Sequence, residues 1–75
     1  MSFSNIRNLR EDSDLKQREV AEVLHVSQNT YSQYESGIIE LTAEKLIILA
    51  DFYHTSVDYL LGRTDQKKPY PPKKP

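Results

Sequence analysis

Five polar side chains between residues 28 and 36 are spaced to share one side of a helix. At about 100° per residue they fall within an arc of about 140°. Glutamine and asparagine carry a hydrogen-bond donor and an acceptor on one planar amide, which matches the N6 and N7 atoms of adenine in the DNA major groove. This chemistry predicts a helix that reads base edges, although a merely solvated polar face is the alternative. The polar set is Gln28, Asn29, Ser32, Gln33 and Ser36.

Two tyrosines, Tyr31 and Tyr34, fall on the opposite side of the same helix. Aromatic rings bury a large apolar surface, while the phenolic hydroxyl needs a polar partner or water. We therefore expect both rings to pack in the core with their hydroxyl tips at the surface. A phosphate contact from one of the two hydroxyls is the alternative.

The base-reading helix is the second half of a helix-turn-helix pattern between residues 17 and 37. Apolar spacing predicts one helix over 17–24 and a second over 28–35. Ser27 is suited to cap the second helix, and Gly37 can end it with a positive φ at little cost. One helix can therefore pack while the other presents its polar side outward.

The two histidines, His25 and His54, each follow a predicted helix and precede a serine within two residues. A helix commonly ends with a residue in the left-handed conformation, which His adopts more readily than most residues other than glycine. A metal site is the competing interpretation, but the chain has no cysteine and no acidic residue at ligand spacing. We expect both histidines to end helices, and no metal site or cofactor is predicted.

Three further helices complete the pattern. The first is predicted over 4–11, the fourth over 43–53 after the cap residue Thr42, and the fifth after the cap residue Ser56. Gly62 is suited to end the fifth helix. Residues 1–62 therefore predict a compact all-α bundle of five helices.

Residues 63–75, RTDQKKPYPPKKP, have a different composition from the rest of the chain. Proline prevents a helix and favours an extended conformation, so we expect a flexible basic tail. A solvated tail is the simplest interpretation. Phosphate contacts from Lys67 and Lys68 are a second, and a docking site for a proline-recognising partner is a third.

Charge and size limit the possible functions of the 75-residue chain, which has a net charge of −1. Residues 1–62 hold five basic and ten acidic residues, whereas residues 63–75 hold five basic and one acidic residue. The acidic body gains little from phosphate attraction, which usually dominates affinity for DNA. The absence of cysteine favours a reducing cytoplasm, and no apolar run has the length of a membrane span.

The segment from Leu15 to Gly37, followed by LTAEKLIILADFYHTSVDYLLG, resembles the Cro/C1-type helix-turn-helix domain of the XRE family, to which phage repressors and Cro proteins belong. The resemblance covers residues 6–62. Its most specific parts are the sequence Val26-Ser27-Gln28 before the base-reading helix, the sequence Tyr34-Glu35-Ser36-Gly37 at its end, and SVDYLLG at residues 56–62. It implies a five-helix lambda-repressor-like bundle that binds double-stranded DNA.

The resemblance also implies roles for single residues. Gln17 corresponds to a glutamine that bonds a DNA phosphate and braces the first residue of the base-reading helix, here Gln28. Arg10 and Glu35 correspond to a structural salt bridge between the first and third helices. The resemblance implies phosphate contacts from Gln17 and Ser36, and Thr30 is a further predicted phosphate contact. It implies base contacts from four residues of the polar set, Gln28, Asn29, Ser32 and Gln33.

The sequence departs from the family pattern after Gly37, where Ile38, Ile39 and Glu40 replace the basic residues common in relatives. The two isoleucines are either core fillers or an apolar patch for a second subunit. The second alternative predicts a homodimer that reads a palindromic operator, with half-sites one DNA turn apart.

Three classes of function follow from these observations. A sequence-specific DNA-binding regulator, of the repressor type, fits the base-reading face. A protein-interaction module on the same scaffold, such as an antitoxin or adaptor, fits the acidic body. An enzyme is not expected, since no nucleophile, phosphate-binding glycine loop or catalytic set is recognisable, and no feature indicates a small-molecule ligand.

Overall fold

The computed structural model describes residues 4–69 and residue 71. These residues form five helices and no strand, and none of the helices is long and apolar enough to cross a membrane. The all-α class predicted from the sequence is confirmed, and each predicted helix boundary lies within one residue of the observed one. The helices are α1 (Ser4–Asp12), α2 (Gln17–Val23), α3 (Gln28–Ser36), α4 (Ala43–Phe52) and α5 (Val57–Leu60).

Every helix contributes at least one fully buried side chain to a single apolar core. Burying a side chain of this size stabilises a fold by about 1.5–3 kcal/mol, so the core fixes the orientation of all five helices. The largest fully buried side chains are Ile6, Val20, Leu24, Tyr31, Leu49 and Leu60.

Local hydrogen bonds set the predicted helix starts. The side-chain oxygens of Ser27, Thr42 and Ser56 accept hydrogen bonds from the backbone N–H groups three residues further on. Lys16 precedes α2, and its side chain makes no capping hydrogen bond. The backbone N–H of Lys16 instead donates to the Glu19 carboxylate at 2.9 Å.

Residues with positive φ follow the helices where the sequence predicted them. Gly37 and Gly62 have φ values of 80° and 76°, and His25 and His54 have values of 57° and 55°. The predicted helix-ending role of both histidines is confirmed. Asp14 also has a positive φ, 56°, in the turn after α1.

The first part of the basic tail contacts the helical body. The buried Thr55 hydroxyl donates to the Lys67 carbonyl at 2.6 Å, and the Arg63 guanidinium lies 3.8 Å from Asp58. The tail is thereby attached at the C-terminal end of α4. The prediction of an extended, flexible tail also covers residues 70 and 72–75, which lie outside the described part of the chain.

Candidate nucleic-acid interface

The inner side of α3 anchors the helix in the core. Tyr31 is fully buried and Tyr34 is 6% exposed, and their rings meet edge to face with centroids 6.5 Å apart. Lys45 Nζ, at the start of α4, donates to the Leu24 carbonyl at the end of α2 at 3.3 Å. The buried rings of Tyr31 and Tyr34 therefore fix the inner side of α3 and leave the opposite side free to face a partner.

The outer side of α3 presents polar groups with unused hydrogen-bonding capacity. Gln28 and Asn29 are exposed, and Ser32 and Gln33 are half-buried. Within the described part of the chain, no group hydrogen-bonds to the amides of Gln28, Asn29 or Gln33. A cleft of about 410 Å³ is lined by Gln17, Gln28, Asn29 and Ser32. Free amides beside such a cleft can recognise the edge of a base.

Gln17 stands at the start of α2 and contacts the end of α3. Its Nε2 donates to Glu35 Oε1 at 3.2 Å. The resemblance implies that Gln17 braces Gln28, but the described structure shows no hydrogen bond between these two side chains. One N–H of the Gln17 amide is therefore held by Glu35, and the second remains available to an anion.

The Glu35 carboxylate forms a nearly buried ion pair with Arg10 of α1. Arg10 Nε donates to Glu35 Oε2 at 2.6 Å and Nη2 donates to Oε1 at 3.1 Å, while Nη1 donates to the Leu15 carbonyl at 2.9 Å. The two side chains are only 13% and 5% exposed. The pair therefore joins α1 to α3 directly behind the polar face.

Electrostatics within this cluster favour the charged form of Glu35. Burial by itself would raise the pKa of Glu35, but the hydrogen bond from Arg10, the polar hydroxyl of the neighbouring Tyr31 and the hydrogen bond from Gln17 outweigh it and lower the pKa below its usual value. The bond to Glu35 raises the pKa of Arg10. Both partners thus remain ionised at neutral pH.

The prediction for the Tyr31 hydroxyl was wrong. Its oxygen is buried, without a hydrogen-bond partner in the described structure, as is that of Tyr53. Tyr31 precedes Glu35 by one helical turn, so the ring lies beneath the ion pair instead of reaching the surface. Burial raises the pKa of Tyr31, with a further increase from the Glu35 carboxylate, and burial raises the pKa of Tyr53 to about 12.

The other residues predicted to contact phosphate do not lie together in one site. The Thr30 hydroxyl accepts a bond from Ser27 Oγ at 3.0 Å, and the exposed Ser36 hydroxyl donates to the Gln33 carbonyl at 3.3 Å. Ser36 lines a second cleft that also contains Gln17 and Ser32. Lys67 and Lys68 belong to the tail segment and line neither cleft.

The two isoleucines after α3 have different surroundings. Ile39 is partly buried and packs against the core, whereas Ile38 is 70% exposed. The core-filler interpretation therefore describes Ile39, and only Ile38 offers apolar surface to a partner. Among residues 4–69 and 71, no group of three or more potential ligand side chains is placed to hold a metal ion.

One candidate residue was missed by the sequence analysis. Arg7 lies one turn before Arg10 on α1 and lines the second cleft. The signal in the sequence is its spacing of three residues from Arg10, which places the two arginines on the same side of α1.

Two helices joined by a tight turn, with the second exposing a polar face, define a helix-turn-helix domain. The helix-turn-helix family profile matches residues 6–60, and the chain belongs to this family, in its Cro/C1 or XRE type.

Three proteins that are similar to this chain are regulators by name. The uncharacterized HTH-type transcriptional regulator YobD of Bacillus subtilis is 36% identical over 92% of this chain and 62% of its own length. The cryptic phage CTXphi transcriptional repressor RstR of Vibrio cholerae is 38% identical over 87% of this chain and 59% of its own length. The crystal structure of a transcriptional regulator from Listeria innocua superimposes with a TM-score of 0.77 at 36% identity, covering 84% of this chain and 59% of that one. The chain thus spans less than two thirds of the length of each of these proteins.

Proposed function

We propose that this chain is a sequence-specific double-stranded DNA-binding transcriptional regulator of the repressor type, which acts in the cytoplasm and reads the major groove with α3. The observation that carries the proposal is the set of unpaired amides on the outer side of a helix whose inner side is buried. The names of the relatives, which include transcriptional regulators and a repressor, support it. The mechanism is occupancy of an operator and includes no chemical step.

Base recognition is assigned to the polar side of α3. A glutamine or asparagine amide that bonds adenine with two hydrogen bonds discriminates against another base by about 1–3 kcal/mol. Gln28 and Asn29, which line the first cleft with Ser32, are best exposed for this role, and Gln33 extends the same side.

Phosphate contacts set the register of α3 on the duplex. We assign this role to the free N–H of Gln17 and to the hydroxyls of Thr30 and Ser36. We also assign it to Lys67 and Lys68, since the tail carries most of the basic charge. Removal of residues 64–75 should then make the salt dependence of binding shallower, and an unchanged dependence would exclude the lysines.

Selection of sites from a random duplex pool at low salt tests the proposal. The wild-type chain should enrich a palindromic motif, and the double variant Gln28→Ala/Gln33→Ala should lose it. Gln66→Ala is the matched control, because it removes an exposed amide outside α3 and should enrich the wild-type motif.

A protein-interaction module is the second candidate function, and the exposure of Ile38 favours it. Only the regulator predicts retention on duplex DNA at low salt. If the folded chain enriches no sequence, the base-reading role is wrong and the partner surface at Ile38 becomes the leading interpretation.

A further inference from the structure

A second cleft, of about 260 Å³, continues from the base-reading side of α3 toward α1. It is lined by Arg7, Arg10, Gln17, Ser32, Glu35 and Ser36. Gln17 and Ser32 line both clefts, so the two are adjacent. A DNA strand whose bases meet α3 would therefore pass its backbone close to this second cleft.

Among the charged residues that line the second cleft, Arg7 has no ion-pair partner within the lining. Arg10 is engaged by Glu35 and by the Leu15 carbonyl, and both Glu35 oxygens accept hydrogen bonds. The Glu35 charge is thus neutralised within the protein. Arg7 remains, an exposed arginine in the lining of a cleft that also contains Arg10 and Glu35.

Arg7 is weakly held in the free protein. Its Nε lies 3.6 Å from Glu11 Oε1, and the two side chains are 65% and 51% exposed. An exposed pair of this kind contributes little to stability. A guanidinium that bonds a phosphate with two charge-assisted hydrogen bonds gains considerably more. Arg7 can therefore exchange Glu11 for a phosphate at low cost.

The polar groups around Arg7 suit the same ligand. The second N–H of the Gln17 amide is unused, and the Ser32 hydroxyl has no hydrogen-bond partner in the described structure. Together with Arg7 they supply donors of the type that bind phosphodiester oxygens. The body of the chain is acidic, but the lining of this cleft holds two arginines and one glutamate and is therefore locally positive.

We infer that Arg7 binds a backbone phosphate of duplex DNA in the cleft between α1 and α3, beside Gln17 and Ser32. The inference rests on the proposed DNA-binding function and adds to it a phosphate site on α1. It also accounts for how an acidic helical body can hold DNA without basic residues after Gly37.

The test compares the salt dependence of DNA binding by Arg7→Gln and Arg63→Gln in the full chain. Arg63 is the matched control, since it is also an exposed arginine in a long ion pair, 3.8 Å from Asp58, and it lines neither cleft. Each phosphate contact contributes about 0.9 to the slope of log Kd against log salt concentration. Arg7→Gln should lower the slope by about 0.9 and keep the selected motif, whereas Arg63→Gln should leave both unchanged. Arg7→Lys should retain the slope because it keeps the charge.

Binding is measured on the selected motif and on a duplex of unrelated sequence. An equal change of slope in Arg7→Gln and Arg63→Gln, or no change in Arg7→Gln, would overturn the inference. If the wild type binds both duplexes alike and enriches no motif, the sequence-specific function fails, while the slopes still decide the role of Arg7. If it binds neither duplex, both proposals are wrong.

Discussion

The Glu35 carboxylate connects the core to the surface proposed to meet DNA. It accepts hydrogen bonds from Arg10 on one side and from Gln17 on the other. Because the ionised Glu35 carboxylate can only accept hydrogen bonds, the Gln17 amide is held with its nitrogen toward the protein. The ion pair therefore orients Gln17, which is proposed to contact a DNA phosphate, and it also joins two helices.

Replacement of Arg10 should destabilise the fold severely. Arg10→Met leaves the nearly buried Glu35 without its cation, and breaking such a pair costs about 3–5 kcal/mol. Urea denaturation should show this loss in the free energy of unfolding. Arg7→Met is the control, since its exposed pair should contribute less than about 1 kcal/mol. Wild-type stability in Arg10→Met would contradict the structural role of the pair.

The lowered pKa of Glu35 predicts acid sensitivity. A carboxyl group whose pKa is lower in the folded state contributes stability that is complete above its unfolded pKa, near the reference value of 4.5, and is lost as pH falls through the folded value. The free energy of unfolding should therefore decrease as the pH is lowered below about 4.5. Glu35→Gln should be less stable at neutral pH but show a weaker decrease, and an equal decrease in both proteins would exclude Glu35 as a source.

At the scale of the element, α3 is held by its ends and its inner side. Ser27 caps its start, Gly37 ends it with φ 80°, and Tyr31 and Tyr34 bury its inner side. None of these contacts uses the polar outer side. The helix can therefore be altered at its cap without removing a base-reading group.

The cap of α3 gives a graded stability prediction. Ser27→Ala removes the bond to the Thr30 N–H, which lies 3.1 Å from Ser27 Oγ, and should lower the free energy of unfolding by about 1 kcal/mol. Ser27→Gly should cost only a few tenths of a kcal/mol. Thermal and urea unfolding of the two variants would measure the difference, and a greater loss with glycine than with alanine would contradict a capping role.

At the scale of the whole molecule, charge and apolar surface determine how the chain can hold DNA. The acidic body and the basic tail have opposite charges, and the Thr55 bond attaches the tail at the end of α4. A single acidic body gains little from phosphate attraction. Two linked copies would double the base and phosphate contacts, and Ile38 offers exposed apolar surface for such pairing.

Ile38→Asp tests whether two copies of the chain pair through Ile38 on DNA. The side chain is 70% exposed, so the fold should be unaffected, but dimer formation on a palindromic duplex should be lost. Ile47→Asp is the control, because Ile47 is 54% exposed on α4 outside the proposed patch. Sedimentation of the DNA complexes would give their stoichiometry. Two bound copies with Ile38→Asp, or loss of pairing with Ile47→Asp alone, would contradict this interface.

The helix order, the helix ends and the polar side of α3 could be predicted from the sequence alone. Caps such as Ser27 and Thr42 bond to groups three residues away, and His25 and Gly37 act through their own backbone preferences, so local sequence contains the necessary information. The arrangement of the polar side follows from helical periodicity alone.

The tertiary structure sets which groups from distant segments of the chain share an environment. It bonded Gln17 to Glu35 instead of Gln28, buried the Tyr31 hydroxyl, and attached Lys67 to Thr55. It also exposes Ile38 while Ile39 packs against the core. It places Arg7 in a cleft beside the polar side of α3. These outcomes depend on contacts between segments that are far apart in the chain, which neither periodicity nor local preference specifies.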